Sequence, residues 1–254
     1  MPEPKQPESM PSLTPVQEKA QVRHLHRFVI TLILGIFATI LAPGYIRATI
    51  WAHIVQHKVL AAFFFLFVIL ALTVIWSFGS KLDDLVFLFL NKHAPRSKLI
   101  DDLMVILTQI GNGLTAFLLA GLFFLLGQRI FAFQFLFGTV TLWLVVELAK
   151  LLVGRKRPYF VVDAMRIVGS KAIGFSFPSG HTSQAFFMAT IFAQSFHLPW
   201  LLVLVLYLLA MVTGITRIYL GAHYPRDVIA GAFLGTIWGF FASVLYGIVA
   251  TWFG

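Results

Sequence analysis

Three short stretches hold the residue types that phosphoryl chemistry needs. They are "KLLVGRKRP" (150–158), "PSGH" (178–181) and "TRIYLGAHYPRD" (216–227). Lys150, Arg157 and Arg217 are three cations that can neutralise the equatorial oxygens of a transferring phosphoryl group, where most of the catalysis in such reactions lies. His181 and His223 supply a nucleophile and a proton donor for a leaving alcohol. Asp227 follows His223 by one helical turn, close enough to hold one imidazole nitrogen and orient the other. Ser179 and Gly180 precede His181 at the start of an apolar segment, where free N–H groups and the helix dipole favour an anion. Each stretch has a plainer reading when taken alone. Lys150 can snorkel to the headgroups, and "PSGH" can be a turn that happens to contain a histidine.

Positioning these residues falls to a membrane bundle. The chain has 254 residues, 59% hydrophobic and only 11% charged, against about 25% charged in soluble domains. Apolar segments run over Phe28–Tyr45, Val59–Phe78, Leu103–Leu126, Ile130–Val153, His181–Phe196, Trp200–Leu220 and Val228–Phe253. They are too long and too uniformly apolar for barrel strands, so an all-α polytopic transmembrane bundle is expected. The third is the least uniform, because "LMVILTQIGNG" puts polar groups in its first turns. Pro225 suits the first position of the last helix. Residues 1–27, with five prolines, read as a disordered polar tail, 28–56 as an extra apolar helix with its connector, and 57–254 as one membrane domain.

Charge narrows the partner. The net charge is +9, and from Lys150 onward eight Lys/Arg face only Asp163 and Asp227. Those basic residues lie in loops between spans, where a nucleic-acid stripe is hard to build. A phosphorylated lipid is the better partner, with the bilayer as surroundings. The absence of cysteine from the chain excludes disulfides and thiolate metal sites. Asp83, Asp84, Asp101 and Asp102 form acidic pairs, but they flank helix starts where the dipole favours carboxylates. No metal is therefore expected. The "LDDLVFLFLNKH" run around them reads as an amphipathic interfacial helix, either a substrate ledge or a plain connector. Glu147, one turn before Lys150, can pair with it. Arg155, Lys156 and Arg226 sit beside the motifs, where they either anchor to headgroups or add to the field of the site.

In order, the three stretches resemble the signature motifs of the phosphatidic acid phosphatase type 2 superfamily, over roughly residues 57–252. That superfamily includes lipid phosphate phosphatases, polyprenyl diphosphate phosphatases, soluble acid phosphatases and vanadium haloperoxidases. Its resemblance implies a six-helix core, with the first apolar segment outside it, and a metal- and cofactor-free phosphatase acting on a lipid phosphate or diphosphate. Phosphatidic acid, phosphatidylglycerophosphate and polyprenyl diphosphate are the substrate types it suggests. His223 would attack phosphorus to form a phosphohistidine, oriented by Asp227, and His181 would protonate the leaving group. Lys150, Arg157, Arg217, Ser179 and the Gly180 N–H would hold the phosphate. Pro158 and Thr216 would be auxiliary, and Thr216 departs from the serine usual there. A lipid-to-lipid phosphotransferase would use the same site. A lipid-binding or transport protein on the same scaffold would need no nucleophile.

The three motifs must share one side of the membrane. Membrane relatives in that superfamily usually place the site on the external or lumenal face, and a site facing outside a bacterial cell membrane is expected here. Seven crossings would then put Lys19, Arg23 and Arg27 outside as well, against the positive-inside tendency. A re-entrant or interfacial Phe28–Tyr45 would instead return the tail to the cytoplasm.

Overall fold

The structure, a computed structural model, describes residues 58–75, 79–93, 97–162 and 165–253, together with scattered positions between residues 23 and 44. The expected tail (1–27) lies almost wholly outside the described residues, as does most of the expected extra helix and its connector (28–56). Of the first apolar segment, Phe28 is buried against the core of the bundle.

Eight helices make up the rest: α1 (Lys58–Ile75), α2 (Ser80–His93), α3 (Lys98–Thr108), α4 (Gly113–Leu125), α5 (Arg129–Val153), α6 (Gly180–Ser195), α7 (Trp200–Tyr219) and α8 (Pro225–Phe253). No strand occurs among the described residues. Three stretches are long and apolar enough to cross a membrane, Lys58–Ile75, Arg129–Phe160 and Trp200–Tyr219. The pair Lys98–Gly111 and Gly113–Leu125 makes a fourth candidate, bent by 55°. The protein is an integral membrane helix bundle, and the six apolar segments of the expected core each correspond to α1, α3–α4, α5, α6, α7 or α8.

The bend has a local cause. Asn112 caps α4 by accepting from Leu114 N at 3.1 Å, which stops the preceding helix and restarts another. A short 3₁₀ turn (Gln109–Gly111) fills the corner. Gly111 presses on the start of α6, where a Cβ would stand 2.1 Å from the His181 carbonyl oxygen. The polar "TQIGNG" run, the weak point of the third segment, is the corner that abuts the site.

α6 sits at the centre, and its 16 residues fall short of the ~20 needed to span. It buries Thr182, Ser183, Gln184 and Thr190, and packs most extensively on α8. That packing is backbone to backbone. Gly231, Gly235 and Gly239 form a stripe along α8, and a Cβ on Gly235 would lie 2.1 Å from Ser183 O. Small residues at four-residue spacing allow such approach where lipid gives no hydrophobic drive. Aromatic contacts among Phe123, Phe131, Phe135, Phe187 and Phe192 fill the space between α4, α5 and α6.

α2 is amphipathic in an unexpected sense. Asp83, Phe87 and Asn91, four residues apart, are buried on its inner face, while Leu82, Leu85 and Phe89 are exposed. Asp83 is thus a buried ion-pair partner, bonded by Arg155 and Arg226, and the dipole alone does not account for it. The expectation that Arg155 and Arg226 anchor to headgroups is corrected for the same reason. Their guanidinium groups point inward to a carboxylate.

Candidate active site

Antiparallel connection of α5, α6, α7 and α8 brings four helix ends to one side of the bundle. Lys150 lies in the last turn of α5, His181 in the first turn of α6, Arg217 in the last turn of α7 and Asp227 in the first turn of α8. The two joining loops carry Arg157 and His223. Ser179 is the N-cap of α6, and its hydroxyl oxygen accepts from Thr182 Oγ1 at 2.9 Å. Ser179 N donates to Asp227 O at 2.9 Å, which ties the start of α6 to the start of α8.

His223 is nearly fully buried. Its Nδ1 lies 2.7 Å from Ser176 O, an acceptor only, so Nδ1 carries the proton. Nε2 is then the lone-pair nitrogen, and Arg157 Nη1 donates to it at 3.1 Å. A backbone acceptor that fixes the tautomer is what a nucleophilic imidazole requires. Burial, with Arg157 and Arg217 nearby, pushes His223 down to about 3, against the partial opposition of Asp227.

Asp227 makes no direct hydrogen bond to the imidazole. Its Oδ2 stands 3.7 Å from His223 Nδ1. The same oxygen accepts from Ser176 Oγ at 2.5 Å and from Tyr224 N at 2.9 Å. Oδ1 accepts from Arg155 Nη1 at 2.7 Å. Ser176 is therefore the residue between carboxylate and imidazole.

Arg157 is buried and held by three carbonyls, donating to Gly174 O at 3.0 Å, Ala222 O at 3.0 Å and Ile173 O at 3.1 Å. Arg217 donates through Nη1 to Thr108 Oγ1 at 2.9 Å, and its buried Nε has no partner among the described residues. A buried N–H left open beside a histidine is a place for an anion oxygen. Lys150 pairs with Glu147 at 2.7 Å, and its Nζ lies 4.0 Å from where a Gly180 Cβ would be. The charges of Arg217, Lys150 and Arg157 all reach His181. The structure thus gathers Lys150, Arg157, Ser179, Gly180, His181, Arg217, His223 and Asp227 at one end of the bundle. Pro158 is buried and starts a 3₁₀ turn. Thr216 is also buried, and its hydroxyl donates to Thr213 O at 2.6 Å, within its own helix.

Beside this cluster, a cleft of ≈ 490 Å³ runs along α4, α5 and α6. Lys150, Gly180 and His181 line its polar end, and Phe117, Val140 and Trp143 its apolar walls. No group of three or more metal-ligating side chains occurs among the described residues.

The family described as the PAP2 superfamily matches residues 131–248, which hold every residue of the cluster. Residues 131–248 are a PAP2 superfamily domain. A solved structure with the same fold is the first transmembrane PAP2 type phosphatidylglycerolphosphate phosphatase from Bacillus subtilis. It is 25% identical with a TM-score of 0.62, and the alignment covers 75% of this chain and 96% of that one. Lipid A 4'-phosphatase of Bacteroides thetaiotaomicron is 40% identical over 93 residues, 35% of this chain and 41% of that protein. Undecaprenyl-diphosphatase of Sulfolobus acidocaldarius is 33% identical over 99 residues, 39% of this chain and 46% of that protein. The chain thus spans less than half the length of both curated relatives.

Four residues that the structure sets against the cluster had another reading in the sequence or none: Arg155 read as a basic residue beside the motifs, Asp83 as one of an acidic pair, and Ser176 and Thr108 had no reading. Arg155 and Ser176 lie inside or beside the motifs, and adjacency was a usable signal. For Asp83, the signal was its four-residue spacing with Phe87 and Asn91. Thr108 had none.

Proposed function

We propose that the protein is a membrane phosphatase that removes phosphate from a lipid phosphate or diphosphate. The observation that carries this is the His223 Nε2 lone pair, set 3.1 Å from Arg157 Nη1 with the Nδ1 proton tied to Ser176 O. Nε2 attacks phosphorus, and the P–O bond to the lipid breaks. His181 gives its proton to the departing oxygen, which leaves as the lipid alcohol or, from a diphosphate, as the lipid monophosphate. Water then attacks the phosphohistidine and yields its proton to His181, releasing inorganic phosphate and restoring His223. Arg157, Arg217, Lys150 and the start of α6 hold the phosphate oxygens, so most of the rate comes from fixed positive charge. Asp227 steadies the positive charge that appears on the ring.

The relatives' names share one chemistry, phosphate on a lipid alcohol. The cleft beside Lys150 and His181 suits a lipid chain, with apolar walls leading to a polar end. The site faces outward from a bacterial cell membrane on this reading.

The test is phosphate release in detergent, with EDTA present, from phosphatidic acid, phosphatidylglycerophosphate and undecaprenyl diphosphate. Wild type is expected to release phosphate from at least one, and His223→Ala from none. Wild type inactive on all three, or active only without EDTA, overturns the reading.

A further inference from the structure

Arg155 was no part of the phosphate clamp, yet it is a buried cation of the site, with side-chain exposure of 11%. Its guanidinium lies over the Tyr224 ring at 3.9 Å and bridges two carboxylates. One is Asp227 at 2.7 Å, and the other is Asp83, bonded through Nη2. Asp83 in turn takes Arg226 Nε at 2.9 Å. The four charges alternate in sign, Asp227, Arg155, Asp83, Arg226, and carry no net charge. Asp83 comes from α2, outside the matched domain and outside all three motifs. α2 is also pinned by Phe87, edge-on to Tyr224 at 5.5 Å, and by Asn91, whose Nδ2 donates to Tyr219 O at 3.1 Å and to Arg166 O at 2.9 Å and whose Oδ1 accepts from Arg166 N at 2.7 Å.

We infer that Arg155, anchored by Asp83, is a positioning residue that holds Asp227 and offsets its charge, so that His223 stands as a neutral imidazole ready to attack. The inference rests on the phosphohistidine reading above. A buried carboxylate with one removed partner is strongly destabilised, and Asp227 is wholly buried with Arg155 as its cationic hydrogen-bond donor. Its other donors, Ser176 Oγ and Tyr224 N, are neutral. Without Arg155, the full field of Asp227 falls on His223 and favours the imidazolium, which has no lone pair at Nε2. The other titratable groups facing His223 are Arg157 from the loop after α5, His181 from α6 and Arg217 from α7, with Tyr224 behind Asp227. All three of those facing groups disfavour a proton on His223 when charged, so Asp227 is the group that favours it and Arg155 the group that tempers it.

The test compares Arg155→Gln, Arg155→Lys and Asp83→Asn as full-length protein in detergent, each checked for folding by thermal unfolding. In Arg155→Gln, the acid limb of kcat/KM should move up by about one pH unit, and kcat at neutral pH should fall about tenfold or more. Arg155→Lys keeps the charge, so its limb should stay at the wild-type position with an intermediate kcat. Asp83→Asn should lower kcat about fivefold with KM within about twofold, because Arg155 loses its anchor while the phosphate clamp is untouched. If Arg155→Gln does not fold, the other two variants decide. A glutamine variant with an unmoved limb, or an Asp83→Asn kcat within twofold of wild type, overturns the inference. NMR of ¹³C-labelled histidine reads the same upward shift of His223 without turnover. An inactive wild type therefore sinks the hydrolase reading but still leaves Arg155 open to test.

Discussion

The Nδ1 of His223 is 2.7 Å from the carbonyl oxygen of Ser176, closer than to any carboxylate. Asp227 reaches the ring from 3.7 Å, with the Ser176 hydroxyl bonded to it at 2.5 Å. The imidazole is aimed by backbone, and the carboxylate acts on it by charge and through that serine. Removing the serine hydroxyl and removing the carboxylate charge should therefore differ. Ser176→Ala keeps the carbonyl and loses one charge-assisted bond, so kcat should fall roughly tenfold. Asp227→Asn removes the charge and should cost about 10²-fold or more. Steady-state kinetics on one lipid phosphate check this, and equal losses would contradict it.

Acid should destabilise the fold through His223. Its ordinary value of 6.5 is lowered to about 3 in the folded protein, first by burial. The unfolded chain takes up a proton that the folded chain refuses, so the stability in question is full above about 6.5 and is lost as pH falls toward about 3. Thermal midpoints measured across that window should fall more steeply for wild type than for His223→Gln.

Close backbone contact between α6 and α8 should not tolerate a methyl group. In Gly235→Ala the new Cβ meets Ser183 O at 2.1 Å, and backbone cannot yield as a side chain would. The helices must part, which pulls His181 on α6 away from Asp227 on α8. A lowered thermal midpoint and loss of the monodisperse peak in size-exclusion chromatography are expected, with activity lost in step.

Glu147 holds Lys150 at 2.7 Å and is half-exposed to the cleft. An arriving phosphate competes with it. Glu147→Gln should lower KM by about 1.4- to fivefold, the range of an exposed ion pair of about 0.2–1 kcal/mol, with kcat nearly unchanged. A raised KM would show that Glu147 positions Lys150 instead.

Sidedness can be read on a clean background, since the chain contains no cysteine. Lys156 is exposed in the loop between α5 and α6, beside Arg157. Lys156→Cys should react with a membrane-impermeant maleimide in intact bacterial cells. Labelling only after lysis would place the site in the cytoplasm.

The candidate residues were legible in the chain because their pattern is local. Hydropathy delimited the helices, and the loop–helix junctions of "KLLVGRKRP", "PSGH" and "TRIYLGAHYPRD" follow from glycine, proline and capping residues that act within a few positions. Even the weak point of the third segment showed, because Asn112 caps its own neighbour. What lay beyond the sequence was the pairing of charges. Asp83 and Arg155 are 72 residues apart, and whether each faces lipid, water or the other depends on where α2 packs. Asp227 looked like the direct partner of His223 because four residues make one turn, but its capping bond to Tyr224 N turns the carboxylate toward its own backbone. The chain itself determined which groups are candidates for the chemistry. Tertiary packing decided which of them touch, because a buried charge takes whichever partner the fold brings to it.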